Sequence, residues 1–221
     1  MNQTNSPINI VVLISGSGSN LQALIDGQQD GSLPINICAV ISNKPNVKGL
    51  DRAQKYGIAH NVIDHKTFDS REAFDTALQT HIDSYTPDLV VLAGFMRILT
   101  PAFTQHYAGK MLNIHPSLLP KYQGLHTHQR AIEAGDDFHG VTVHFVTAEL
   151  DGGPNIIQAK VAITPTDNAD TLAKKVQQQE HVIYPLAVKW FAQGSLKLED
   201  NHVVLHGEKL NSAGYQLEKV I

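Results

Sequence analysis

Two residues able to handle a carbonyl group sit two apart in the run Leu112-Asn113-Ile114-His115-Pro116-Ser117-Leu118-Leu119-Pro120. On a strand, positions i and i+2 face the same way. An Asn amide donates to an oxyanion developing on a carbonyl oxygen. A His takes or gives a proton near neutral pH. Pro116 and Pro120 stiffen the chain that follows. A carboxylate beside the imidazole would favour its charged form and fix its orientation. Asp151 is the candidate, because Gly152-Gly153-Pro154 place it in a turn. The spacing does not show that Asp151 reaches His115. Taken alone, the run reads more simply as a strand-end Asn/His pair satisfied by loop backbone.

A second feature is Ser15-Gly16-Ser17-Gly18-Ser19-Asn20, set between an apolar run and a helical pattern. Glycines let the backbone approach an anion, and the helix that follows offers free N–H groups and a favourable dipole. It is not a dinucleotide fingerprint, since the third glycine position holds Leu21, and no Gly-Lys-Ser/Thr follows. A tight turn with a helix cap explains it equally well. The pair His126-x-His128 has no third metal ligand at a matching spacing. It reads as two loop histidines lining a substrate edge, while His139 and His144 read as structural.

The elements that must position these residues alternate. Ile8–Ile14, Ile35–Ile41, Ile58–Ile63, Asp88–Ala93 and Met111–Ile114 read as strands, the first nearly continuous in apolar residues. Between them, Leu21–Ile25, Leu50–Tyr56, the stretch led by Asp69-Ser70-Arg71-Glu72 with its capping-box spacing, and the segment opened by Thr100-Pro101 read as helices. A βαβαβαβαβ order predicts an α/β fold with a doubly wound, mostly parallel sheet flanked by helices. Right-handed crossovers place every strand's C-terminal end on one edge, where ligands bind. Ser15–Asn20, Gly94–Leu99 and His115–His128 leave that edge. Beyond Gly140, Val141–Thr147 and Ile156–Ile163 read as antiparallel strands, and Asp170–Trp190 as a long helix kinked or broken at Pro185. Leu196–Leu198 and His202–Leu205 suggest a small hairpin. Residues 8–221 are expected to form one domain, preceded by a flexible segment 1–7.

Bulk properties narrow the function. The 221 residues carry a net charge of −4, which argues against a general nucleic-acid binder. The single cysteine, Cys38, forbids an internal disulfide and reads as a small buried hydrophobe. No apolar stretch approaches the ~20 residues that span a bilayer, and the polar start lacks a basic leader. A cytoplasmic protein acting on small molecules, as monomer or homodimer, is expected.

Taken together, four segments resemble the folate-dependent glycinamide ribonucleotide formyltransferases. They are Ser15–Asn20, Ala93-Gly94-Phe95-Met96-Arg97-Ile98-Leu99, Asn113–Pro120, and Glu149-Leu150-Asp151-Gly152-Gly153-Pro154. The likeness runs from about Ile8 to about Lys197 and overturns the simpler reading of Asn113 and His115. It implies a Rossmann-like formyltransferase fold and 10-formyltetrahydrofolate as co-substrate, with no metal. It implies Asn113, His115 and Asp151 as the catalytic trio, and Gly18, Ser19 and Asn20 as holders of the substrate phosphate. Gln177 and Glu180 match positions that contact the ribonucleotide. Arg71, Met96, Arg97, Ile98, Leu99 and Asn113 match positions that bind folate. Three departures stand out: Ser17 for a frequent Asn, Thr142 for a common Ser, and Gln123 where Pro or smaller residues occur. The nearest rivals are formyltetrahydrofolate hydrolases and methionyl-tRNA formyltransferases, which usually carry an extra N-terminal or C-terminal domain. A rival of another class is a binding module that uses only the glycine loop.

Overall fold

A computed structural model describes residues 6–217. Of the expected flexible segment 1–7, residues 1–5 lie outside the described residues; Ser6 and Pro7 are exposed.

Strand β1 (Ile8–Ile14) shows how the core is built. Its residues from Ile10 to Ile14 are completely buried. Ile10, Val12 and Ile14 join one hydrophobic cluster, whereas Val11 and Leu13 join another. Alternate side chains thus enter two layers, as period-two geometry demands. Helices α1 (Ser19–Gln29), α2 (Lys48–Lys55) and α6 (Ala169–Ala192) feed the first layer through residues such as Leu24, Ala53 and Val176. Helices α3 (Arg71–Asp83) and α4 (Pro101–His106) feed the second through Phe74, Leu78 and Phe103. This is the doubly wound architecture expected from the alternation.

The remaining strands are β2 (Ile35–Ser42), β3 (His60–Val62), β4 (Leu89–Leu92), β5 (Met111–His115), β6 (Phe138–Phe145) and β7 (Asn155–Ala162). With β11 (Tyr215–Leu217) they form an eight-stranded sheet in the order β11-β7-β6-β5-β4-β1-β2-β3. Every described pairing in it is parallel except those of β6, which runs antiparallel to β5 and to β7. The expected terminal hairpin, β8 (Leu196–Glu199) with β9 (His202–Leu205), gains β10 (Glu208–Lys209) as a third strand. Among strands, β11 was not expected from the sequence, being short and only partly buried.

Local chemistry fixes the helix starts. The Ser70 hydroxyl caps α3 by accepting from Ala73 N at 3.1 Å, so the cap falls one residue after the Asp69 that the capping-box spacing favours. Thr100 caps α4 with Pro101 in its first turn. Helix α6 passes through Pro185 as one 24-residue helix and does not break. The lost N–H is tolerated because the turns on both sides bury Ile183, Tyr184, Ala187 and Val188 in the core. Cys38 is only half-buried, contrary to expectation: it falls on the more open side of β2, next to exposed Asn36.

Candidate active site

Strand β5 delivers Asn113 and His115 to one side of the sheet, where Asn113 pairs across to His144 of β6 and His115 to Thr142. His115 is buried. Its Nδ1 lies 3.4 Å from Asp151 Oδ2, and its Nε2 lies 2.9 Å from the Tyr122 carbonyl oxygen. A carbonyl only accepts, so Nε2 carries a proton. Each ring nitrogen therefore faces an oxygen, an arrangement that a doubly protonated ring satisfies fully. The structure brings Asp151 to His115, which spacing alone could not establish.

Asp151 is held by its surroundings. Its Oδ2 accepts from Gly124 N at 2.9 Å, and its backbone carbonyl accepts from the Gln123 amide at 3.3 Å. Its φ of 50° lies in the left-handed region, which Asp tolerates better than most residues. Gly153 permits the turn, since a Cβ there would stand 1.9 Å from the Phe145 carbonyl oxygen. Gln123 thus supports the Asp151 turn. Thr142 also has a role: its hydroxyl donates to Ser117 O at 2.7 Å and accepts from Leu119 N at 3.1 Å, pinning the loop after β5.

At α1, Gly18 occupies the N-cap with φ 68° and supplies no side-chain cap, and the first turn holds no acid. Free N–H groups and the dipole's positive end are therefore available. A Cβ on Gly18 would stand 2.8 Å from Gly49 Cα, so the loop packs backbone to backbone against α2. Ser17 contributes its carbonyl, which accepts from Arg52 Nε at 2.9 Å. Helix α6 reaches the same place: Gln177 Nε2 donates to Ser19 Oγ at 3.2 Å, and Asn20 Nδ2 donates to Glu180 Oε2 at 2.8 Å. Burial pushes the Glu180 carboxyl above its ordinary range, against the lowering effect of the Asn20 bond. The other end of the Asn20 amide, Oδ1, is buried without a partner. Ser15 links this loop to the next one, accepting from Met96 N at 2.8 Å and donating to Asn43 at 2.5 Å.

A cleft lies beside the trio, lined by Leu92, Phe95, Arg97, Ile98, Leu99, Asn113, His144 and residues 146–151. Arg97, Ile98, Leu99 and Asn113 of the expected folate set meet there. Met96 (65% exposed) and Arg71, exposed at the start of α3, do not line it. The Arg97 guanidinium lies 4.7 Å over the Phe74 ring, with Nε buried and unpartnered. A larger cavity, about 700 Å³, opens beyond the Asp151 turn. It shares Glu149 and Asp151 with the cleft, and its basic side chains, His202 and Lys209, are exposed. Among the described residues no group of three or more His, Cys, Asp or Glu side chains could hold a metal ion, and no helix is long and apolar enough to cross a membrane.

Two histidines extend or correct the sequence reading. His144, read as structural, is found to line the cleft, its Nε2 3.1 Å from Asn113 Nδ2. His128 belongs to α5 (Thr127–Glu133), an unexpected short helix, and lies 3.1 Å from His139 instead of lining the cleft. His126 is that helix's exposed N-cap. Burial lowers the proton affinity of both members of the pair, taking His139 to about 4, and each also repels the other's charge or that of His115. A ring that ionises less readily when folded favours the unfolded chain once protonated. The packing of α5 on β6 is therefore at full strength above pH 6.5 and weakens as pH falls from 6.5 towards 4. The expected cost is up to about 3 kcal/mol from His139. Melting temperature measured from pH 8 to pH 4 should fall in that window, with a shallower fall in His139→Gln; an unchanged slope would contradict the assignment.

An α/β sheet that sets an amide, an imidazole and a carboxylate together beside a cleft defines a class: proteins equipped for transfer of a carbonyl-bearing group without a nucleophilic Ser or Cys in the trio. Within it the family is identified by comparison. Residues 8–188 match the family model described as formyl transferase, and the chain belongs to that family. It is 56% identical over 212 residues to the phosphoribosylglycinamide formyltransferase of Escherichia coli (strain K12), covering 96% of this chain and 100% of that protein. The phosphoribosylglycinamide formyltransferase of Coxiella burnetii, solved in complex with CHES, superposes with a TM-score of 0.92 at 53% identity over 96% of this chain and 99% of that one. The trifunctional purine biosynthetic protein adenosine-3 of Homo sapiens is 46% identical over 192 residues, which span 87% of this chain and 19% of that protein.

Proposed function

We propose that this chain, as one domain over residues 8–221, transfers the formyl group of 10-formyltetrahydrofolate to the amine of 5-phosphoribosylglycinamide. The products are the N-formyl ribonucleotide and tetrahydrofolate, in de novo purine biosynthesis in the cytoplasm. The pairing of buried His115 with Asp151, where Asp151 and Asn113 line one cleft, carries the reading. Near-full-length identity to an enzyme of that name supports the choice of substrates.

In this reading the N-terminus of α1, with Gly18, Ser19 and Asn20, receives the phosphate, and Gln177 and Glu180 hold the ribonucleotide. Arg97, Ile98 and Leu99 enclose the folate ring system in the cleft, and Asn113 borders it; Met96 and Arg71 serve the part of folate outside it. The glycinamide amine attacks the formyl carbon, and charge builds on the formyl oxygen. Asn113 and protonated His115 stabilise that charge, while Asp151 favours the imidazolium. The bond from the formyl carbon to the folate nitrogen then breaks. The attacking amine loses its proton and the departing nitrogen gains one, through His115 or a water ordered by Asp151. Holding both substrates together supplies much of the acceleration. All partners in this scheme are small molecules, with neither nucleic acid nor membrane among them, acting on a monomer or homodimer.

The test is a spectrophotometric assay of a 10-formylfolate analogue with and without the ribonucleotide. Turnover that requires the ribonucleotide is the expected result. Turnover without it would assign a hydrolase, and none at all with both ligands bound would leave a binding module.

A further inference from the structure

The antiparallel pairing of β5 and β6 sets Asn113 directly opposite His144. Opposed residues on neighbouring strands share a face and can bond to each other. His144 is 2% exposed, and its Nδ1 lies 2.8 Å from its neighbour's carbonyl, Phe145 O. Since that oxygen only accepts, Nδ1 carries the proton. Burial opposes a second proton, outweighing the Phe145 bond and the attraction of Asp151. The lone pair of Nε2 is then exposed to its surroundings. Asp151 Oδ1 stands 3.9 Å away, too far to bond, and Asn113 Nδ2 stands at 3.1 Å.

An Asn amide has two orientations of nearly equal shape, differing by the exchange of oxygen and nitrogen. Only an N–H can face a lone pair. We infer that His144 is a positioning residue for the transfer step: by accepting one N–H of Asn113 it selects the orientation whose other N–H is free for the formyl oxygen. The reverse orientation would turn Oδ1 towards His144 or the substrate, lone pair against lone pair. Both residues line the same cleft, so the choice is made where the charge develops. This assignment rests on the formyl-transfer reading for its catalytic consequence but not for its geometry.

Two substitutions separate positioning from structural support. His144→Asn keeps an N–H at the level of Nδ1, able to hold Phe145 O, yet has no atom that reaches Asn113. His144→Gln carries an oxygen at the level of Nε2 and gives up the Phe145 bond. The expected result is that H144Q turns over at least roughly tenfold faster than H144N, with similar KM for both substrates, because a lost oxyanion donor acts on kcat by about 10²–10³-fold. A structural role predicts the reverse order, with activity following melting temperature. Nitrogen-15 NMR of the wild-type chain at pH 7.5 should find His144 as the Nδ1–H tautomer. An Nε2–H tautomer, or H144N as active as H144Q, would overturn the inference. If the wild type failed to transfer formyl groups at all, the functional reading would fall, while the tautomer would still decide the hydrogen bond.

Discussion

Asp151→Asn should lower kcat by about 10²–10⁴-fold, the range for loss of a positioned proton-handling group, with little change in melting temperature. The substitution is nearly isosteric. Gly124 N can still donate to the remaining oxygen, so the turn keeps its 2.9 Å anchor. What disappears is the negative charge 3.4 Å from His115 Nδ1. Without it the imidazolium loses its counter-charge, even though the oxygen that Gly124 N holds in place still faces Nδ1. The Tyr122 carbonyl still fixes the other ring nitrogen, so the ring stays in place while its charge is no longer supported. Steady-state rates with both substrates saturating, beside a melting curve, give the answer. A kcat within threefold of wild type would remove Asp151 from the proton chemistry.

Gly153→Ala is expected to have the second largest effect, and on both stability and rate. The added Cβ would stand 1.9 Å from the Phe145 carbonyl oxygen, 3.0 Å from its carbon and 3.2 Å from Thr147 Cγ2. Two of those three atoms are backbone. The Phe145 amide is itself tied to Pro154 O at 3.0 Å, so neither side can yield without breaking a bond of the ladder. Overpacking of this kind costs about 1–3 kcal/mol. The turn must shift to accept the methyl, and Asp151 sits two residues away. A displacement of about 1 Å at a reacting group costs roughly 10²-fold in rate. Differential scanning calorimetry and kcat together test this. A variant with wild-type melting temperature and rate would show that the turn is more plastic than its contacts imply.

The sheet was legible because buried parallel strands announce themselves: five apolar residues in a row in β1 can only be covered on both sides. The same logic located Asn113 and His115 at a strand end. Strand β11 and helix α5 were not legible. The first is three residues long and held by pairing to β7, and the second is one short helix opened by an exposed His with φ 59°. Neither has enough periodicity to register. The contacts to Asp151 were hidden for another reason. Its partners, His115 and Gly124, are 36 and 27 positions away in sequence, and one of them is a backbone N–H, which has no signature in residue type. That His144 faces Asn113 was not legible, because a His in an apolar strand usually signals packing and only the antiparallel register, unknown from sequence, sets the two opposite each other. Arg71 matched by resemblance, yet it stands outside the cleft, since a side chain at the first turn of α3 points into solvent.

Helix α6 carries Gln177, Glu180 and Tyr184 at spacings of three and four, so they form one stripe. At one end Gln177 and Glu180 touch Ser19 and Asn20 at the tip of α1. At the other the Tyr184 hydroxyl, fully buried, lies 2.8 Å from Leu92 O and 3.0 Å from Leu112 O, beside the strand residue that precedes Asn113. Seven residues of helix span about 10 Å and hardly compress. The stripe is in effect a caliper, with one jaw at the glycine loop and the other on the strand bearing the amide. On the proposed assignment, a substrate is measured before it is read: its anion and its amine must be one fixed length apart. A shorter or longer homologue with the same functional groups would be refused by distance alone, with no repelling side chain needed.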